Sequence, residues 1–192
     1  MNEVWQDKIP PQDIEAEQAV LGAIFLDSDT LIDAMEIVTP RSFYRRSHQI
    51  IFQSMIQLSN RGEAIDLVTL KAEIEKSNAL EDIGGISYLS ELSQSTPSSA
   101  SVSYYAKIVD DKSLLRQLIQ TANQIVVKSF EQGEEVQAIV DEAERSILEV
   151  SEKRNSTGFQ SIADVLNQSI ETIDRLAQNN EEITGLPTGY QA

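Results

Sequence analysis

The segment Ser101–Glu131 reads SVSYYAKIVDDKSLLRQLIQTANQIVVKSFE and contains neither glycine nor proline. It therefore permits one continuous α-helix of about 46 Å, at a rise of about 1.5 Å per residue. Its apolar residues recur at helical spacing; they are Val102, Tyr105, Ala106, Val109, Leu115, Leu118, Ile119, Ala122, Ile125 and Val126. This length and periodicity predict the dominant element of an all-α fold.

A second helical stripe follows the break at residues 132–134 and continues to about Lys153. Two helices joined by so short a connection predict an antiparallel hairpin over residues 101–153. A contiguous apolar patch larger than the two helices need for each other usually marks an interface, so we expect the hairpin to pair with another copy of itself. The apolar residues in excess of that need are Leu114, Leu118, Ile125, Phe130 and Leu148.

Upstream of the hairpin, five short helical patterns predict a small globular bundle over residues 13–95, preceded by an N-terminal tail at residues 1–12. Side chains suited to N-capping three of these helices are Asp13, Ser42 and Asp66. The polar run SQSTPSSAS at residues 93–101 separates the bundle from the hairpin.

Downstream of the hairpin, residues 154–182 form a polar linker region that contains one amphipathic helix at residues 161–179. An isolated helix of this length is marginal in water unless its apolar face is buried. We therefore expect it to pack on a neighbouring subunit; the alternative is that it folds back onto the hairpin of its own chain. Its apolar face consists of Ile162, Val165, Leu166, Ile170, Ile173 and Leu176.

The overall composition excludes several classes of protein. Apolar residues make up 41% of the chain and charged residues 24%, the balance of a folded, soluble protein. No window approaches the roughly 20 apolar residues of a membrane span, and Met1–Lys8 lacks the basic and apolar regions of a secretory signal. Cysteine is absent, which excludes disulfides and cysteine-ligated zinc. We expect a cytoplasmic protein with no membrane partner.

The charge balance limits the kinds of nucleic-acid contact. Lysine and arginine number 15 against 31 aspartates and glutamates, a formal net charge of −16. Tight non-specific binding to nucleic acid draws on dense lysine and arginine, which this chain lacks. Any contact with DNA must be local or shared with other parts of a larger protein.

The sequence offers no set of catalytic, cofactor-binding or metal-binding residues. His48 is the one histidine, and a lone histidine on a helix is most often a packed or capping residue. The carboxylates fall on helix faces where solvated surface charge is the simpler interpretation. No glycine is followed by lysine, so the phosphate-binding pattern G-x-x-x-x-G-K-[ST] is missing.

One basic cluster is a candidate contact site. Arg41, Arg45 and Arg46 are interleaved with Phe43 and Tyr44, an arrangement that could bind phosphate or an acidic partner. The alternative, which we favour on the sequence, is a set of interhelical salt bridges beside two core aromatic residues.

Several stretches together resemble the N-terminal part of bacterial replicative DNA helicases of the DnaB family. In chain order they are Pro10-Pro11 with residues 15–22 (EAEQAVLG), Phe43-Tyr44-Arg45 with His48 and Ile51-Phe52, residues 66–70 (DLVTL), residues 84–92 (GGISYLSEL), residues 105–109 (YAKIV), residues 112–116 (KSLLR) and residues 185–190 (GLPTGY). Their order across nearly the whole chain makes the match specific, whereas one alone would be weak.

This resemblance implies a function for the chain. Residues 183–192 would be the start of the family's motor domain, whose ATP and magnesium site and main DNA-binding elements follow it. The chain itself would be no enzyme and would hold no cofactor. Its hairpins would pair, as a dimer or as a trimer of dimers, in the collar of a hexameric ring. That collar would receive the C-terminal domain of primase and also a helicase loader.

Two other classes of function compete with this reading. A stand-alone helical scaffold or adaptor would dimerise through its hairpin and have no link to DNA. An enzyme in its own right would bind a nucleotide or substrate. Saturable ATP binding to the purified chain would favour the enzyme, and a phosphate-binding lysine downstream of Ala192 would favour the helicase.

Overall fold

The computed structural model describes residues 9–95, 98–131 and 135–156, with side chains as far as Glu152. In chain order its α-helices are α1 (Ile14–Leu26), α2 (Thr30–Ile37), α3 (Arg46–Asn60), α4 (Leu67–Lys76), α5 (Gly85–Gln94), α6 (Val102–Glu131) and α7 (Val136–Ser156). The regular structure of these residues is entirely helical, which confirms the all-α class. None of these helices is long and apolar enough to cross a membrane.

Two of the three expected N-caps are present. The Asp13 carboxylate accepts a hydrogen bond from the Ala16 backbone N–H at 3.0 Å and begins α1. The Asp66 carboxylate accepts from the N–H groups of Val68 and Thr69 at 2.8 and 2.9 Å and begins α4. Both satisfy backbone donors that a helix N-terminus would otherwise leave unpaired.

The third expected N-cap, Ser42, is wrong. Ser42 ends a 3₁₀ turn over Pro40–Ser42, in which its hydroxyl accepts a hydrogen bond from the Thr39 N–H at 3.1 Å. Phe43 then has an extended backbone, and α3 begins only at Arg46. Proline favours the first position of such a turn, because it has no N–H to satisfy there.

The bundle core continues past the polar run into the hairpin. Val102, Ala106 and Val109 on α6 are buried together with the core of α1 to α5. The expected boundary at residues 93–101 is therefore a loop within one core, and the first third of α6 belongs to the bundle. Large side chains buried completely in this core are Leu21, Ile24, Leu31, Ile51, Phe52, Met55, Leu70, Ile74, Leu89 and Leu92.

A buried carboxylate joins three helices of the bundle. Glu17 on α1 is only 1% exposed, and one of its oxygens lies 2.6 Å from His48 Nδ1 on α3. The same carboxylate accepts from the backbone N–H groups of Tyr44 and Arg45, at 2.6 and 3.3 Å. On the other side of the ring, His48 Nε2 lies 2.6 Å from the Tyr88 hydroxyl on α5. His48 is thus a packed residue, as expected, but Glu17 is not on a solvated face.

A second carboxylate joins the end of α3 to α4. Glu73 is nearly buried, and it binds Arg61 and Lys76, each at a shortest distance of 2.6 Å. These hydrogen bonds, first that of Arg61 and then that of Lys76, lower the pKa of Glu73 to about 2. The expectation that carboxylates lie on solvated faces is therefore wrong for Glu73 as well.

Replacing Glu17 with alanine should destabilise the fold strongly. The substitution removes the acceptor of three donors and leaves the buried His48 Nδ1 without a partner, which costs about 3 kcal/mol or more. Tyr88→Phe removes the hydrogen bonds of a half-buried hydroxyl with His48 Nε2 and Gln18 Nε2, and it should cost about 1–2 kcal/mol. Urea unfolding followed by circular dichroism at pH 7 measures both. A Glu17→Ala variant as stable as the wild type would contradict a structural role for this carboxylate.

Candidate functional site

The outer part of the hairpin has no closed core. α6 and α7 pack against each other through half-buried side chains that include Ile125, Ile139 and Ala143, and Lys128 pairs with Glu142 across them. After Ser113, however, neither helix has a fully buried side chain among the described residues. The two helices therefore leave apolar surface that they do not cover for each other.

This uncovered surface includes one stripe along α6. Leu115, Ile119, Ala122, Val126 and Phe130 are all exposed, and their spacings of four, three, four and four residues place them on one face of a helix. We call these five residues the hairpin stripe. Beyond Ser113, the other large apolar side chains exposed on the hairpin are Leu118 and Val127 on α6 and Val136, Val140, Ile147 and Leu148 on α7.

The residues expected to pair the hairpins fall into two groups. Leu118, Phe130 and Leu148 are exposed, as a pairing surface requires. Leu114 and Ile125 are half-buried, so part of their apolar surface is already used within the chain. Leu115, Ile119 and Val126 are exposed as well, although they were not among the residues expected to pair.

One arginine fastens the hairpin to the bundle. The Arg116 guanidinium on α6 donates to the backbone carbonyls of Pro11 and Ser42, at 2.7 and 2.5 Å. It also lies over the Tyr44 ring, 5.6 Å from the ring centroid. Burial lowers the pKa of Arg116, and the nearby Glu17 opposes that shift. Two carbonyls and an aromatic face thus replace the water that this charge loses.

A groove that is lined in part by Arg116 runs along the hairpin. Its volume is about 1090 Å³, and its apolar lining includes Ile119, Val127 and Ile139. Gln120, Asn123 and Gln124 supply polar groups along α6. Such a surface can bind an extended or helical segment through apolar side chains while amides pair with its backbone.

The three arginines of the candidate phosphate site are all on the surface. Arg41, Arg45 and Arg46 are exposed, and Arg45 and Arg46 line two different grooves. Within the described part of the chain, none of their guanidinium groups makes an ion pair. The interhelical salt bridges favoured on the sequence are therefore absent from these residues. Of the two aromatic side chains, only Phe43 is in the core, and Tyr44 is exposed.

Other predicted features lie outside the described residues. They are the linker helix at residues 161–179 with Ile162, Val165, Leu166, Ile170, Ile173 and Leu176, the break at residues 132–134, and the segment at residues 183–192. In the described ranges, no three histidine, aspartate or glutamate side chains are grouped to hold a metal ion. What these ranges offer is contact surface.

The chain is similar in sequence to a known protein family. Residues 9–111 match the model of the DnaB-like helicase N-terminal domain. A replicative DNA helicase DnaB from Geobacillus stearothermophilus is 50% identical over 190 residues, which cover 99% of this chain and 42% of that protein. The chain thus spans less than half the length of this relative.

Two solved structures have similar folds. The N-terminal domain of DnaB helicase from Mycobacterium tuberculosis superposes with a TM-score of 0.70 and 38% identity, over 73% of this chain and 99% of that one. A DnaB-like replicative helicase, described with its interactions with primase, has a TM-score of 0.62 and 23% identity, over 93% of this chain and 38% of that one. The second likeness concerns the fold alone.

Replacing Arg116 with methionine should loosen the hairpin from the bundle. Methionine keeps most of the apolar stem but removes two charge-assisted hydrogen bonds, which together contribute about 2–4 kcal/mol. Arg145→Met, at an exposed position on α7, is the matched control and should have little effect. Urea unfolding measures the free energy, and amide exchange should quicken in α6 near Ser113 in the first variant only. Equal stability of the two variants would contradict the role of Arg116.

Proposed function

The chain belongs to the DnaB-like helicase N-terminal domain family, and on that premise we propose that it is the assembly and partner-docking region of a replicative DNA helicase. The observation that carries the proposal is the exposed apolar surface of the hairpin beyond Ser113. The bundle closes its own core, whereas the hairpin does not. A surface of this kind is stable when another molecule covers it.

We take the first of these molecules to be a second copy of the chain. A two-fold contact is the commonest closure between identical chains, because one patch then meets itself. The hairpin stripe, with Leu118 and Leu148, supplies such a patch. Pairs formed in this way would be the units of a collar, as a dimer or as a trimer of dimers within a hexameric ring.

The second partner in this proposal is the C-terminal domain of primase. Support comes from the solved DnaB-like helicase of similar fold, which is described with its interactions with primase. Charge adds to this support, since a chain of net charge −16 attracts a partner that presents basic residues. A helicase loader is a further candidate for the same collar.

The rest of the proposed activity belongs to a longer protein. The relative from Geobacillus stearothermophilus is a replicative helicase, and this chain spans 42% of its length. ATP and magnesium binding, DNA unwinding in the cytoplasm and most DNA contacts are therefore assigned to the remainder, and this chain would have no ATPase activity of its own. The helix at residues 161–179 would pack on a neighbouring subunit.

The stand-alone scaffold remains the competing function. It would use the same hairpin contact and differ only in having no link to DNA. Membership of a helicase family favours the replicative role, and binding of a primase domain separates the two.

Self-association should depend on the exposed residues of the hairpin. Leu118→Asp combined with Phe130→Asp places two charges in the apolar patch and should lower the mass measured by sedimentation equilibrium to that of a monomer. Val68→Asp changes a side chain that is 75% exposed on α4 of the bundle, and it should leave the mass unchanged. A wild-type chain that is already a monomer at high micromolar concentration would contradict the proposed pairing.

Binding of primase should be measurable and sensitive to salt. Calorimetry with a primase C-terminal domain should give saturable heat at low ionic strength, and the affinity should fall as salt screens the opposite charges. The double variant Leu118→Asp, Phe130→Asp tests whether paired chains are needed. The absence of both heat and co-elution at low salt would remove the primase partner and leave the scaffold as the better reading.

A further inference from the structure

We propose that the groove along the hairpin is a docking site for residues Met1–Lys8 of the same chain, with Trp5 as the anchoring side chain. This goes beyond the pairing and primase contacts, because it assigns a different surface to a segment of the chain itself. The argument rests on where the chain enters the groove, how far the segment reaches, and the chemistry of the lining.

The chain enters the groove at one end. Ile9, Pro10 and Pro11 all line it, so three consecutive residues lead into this space. Arg116 holds the Pro11 carbonyl at 2.7 Å and thereby fixes the point where the chain joins the bundle. A residue that precedes proline is restricted to extended conformations. Ile9 therefore directs the preceding residues along an extended path.

The reach of the segment matches the length of the groove. Its lining along α6 runs from Arg116 to Glu131, a distance of about 22 Å at 1.5 Å per residue. Eight extended residues cover at most about 28 Å. Trp5 stands four residues before Ile9, or up to about 14 Å away, which is about the distance along α6 from Arg116 to Ile125 in the groove lining.

The lining suits the residues that the segment carries. Ile119, Val127 and Ile139 form an apolar surface that remains open in the described structure, and Val4 and Trp5 are the large apolar residues between Met1 and Ile9. A buried indole needs an acceptor for its N–H, which the amide oxygen of Asn123 or Gln124 can provide. Amide side chains can likewise pair with the backbone of an extended segment.

The groove and the hairpin stripe share Ile119 but otherwise use different residues of α6. Val127 lines the groove, whereas its neighbour Val126 belongs to the stripe, and successive residues of an α-helix point about 100° apart. Docking of the segment therefore covers the groove and leaves the hairpin stripe, apart from Ile119, available for a second copy.

The test uses Trp5, which is the sole tryptophan of the 192-residue chain and so reports on this segment alone. Docking predicts a blue-shifted emission maximum and quenching by acrylamide several-fold weaker than for free N-acetyltryptophanamide. Val127→Glu introduces a charge into the groove and should restore free quenching. Val126→Glu is the matched control, since the two valines are 54% and 52% exposed, and it should keep Trp5 protected.

A second groove variant and a dilution series complete the test. Asn123→Phe fills the groove without adding charge and should also release Trp5, while circular dichroism verifies the fold of each variant. Free quenching of Trp5 in the wild type overturns the proposal, as does equal protection in all variants. Protection that vanishes on dilution assigns the groove to a second copy and also overturns it. Failure of pairing would be seen in the sedimentation mass, so the two proposals fail independently.

Discussion

Helix α6 runs from Val102 to Glu131, but its buried side chains end at Ser113. The bundle is wide enough to cover only the first part of this helix, and α7 covers one further side of the rest. Two helices alone cannot enclose a core, because each offers the other a single face. From this mismatch in length follow the open groove and the exposed hairpin stripe, the surface on which the proposed pairing rests.

Two buried or half-buried charges hold this arrangement in place. Glu17 lies between α1 and the start of α3, where it satisfies two backbone donors and one ring nitrogen of His48. Arg116 fastens α6 to the segment before α1 and to the turn before α3. In each case, hydrogen bonds within the protein replace those that the side chain would make with water. Burial without such replacements would be costly. Arg116 therefore fastens the hairpin to the bundle, whereas Glu17 holds the start of α3 against α1.

The features that the sequence predicted well are those determined by neighbours in the chain. The length of α6, the caps at Asp13 and Asp66 and the all-α class follow from local spacing and local hydrogen bonds. The burial of Glu17 was missed because its ring partner, His48, is 31 positions away. The link from Arg116 to Pro11 spans 105 positions. Neither pairing has a periodicity that a single sequence could reveal.

The start of α3 and the exposed face of the hairpin also depend on contacts between distant parts of the chain, which local sequence patterns do not predict. Phe43 and Tyr44 have helical spacing with later residues, but they precede α3, because Glu17 draws the Tyr44 and Arg45 backbone groups toward α1. The sequence predicted that the hairpin would expose some apolar residues, since their number exceeds what two helices need to pack on each other. Which of them face out could not be predicted, because that depends on how α7 crosses α6. Ile125, which was expected to pair, is half-buried, whereas Leu115, which was not, is exposed.

The acidic character of the chain bears on how it can assemble. Two copies of net charge −16 repel each other, so contact between identical surfaces must draw its free energy from apolar burial. The hairpin stripe on α6 provides exposed apolar surface, whereas the apolar residues of the bundle are mostly buried in its own core. A basic partner would instead be attracted by this negative charge, and the attraction would bring it to the same assembly. In the proposed assembly, apolar area for like chains and charge for an unlike one are thus separate sources of affinity.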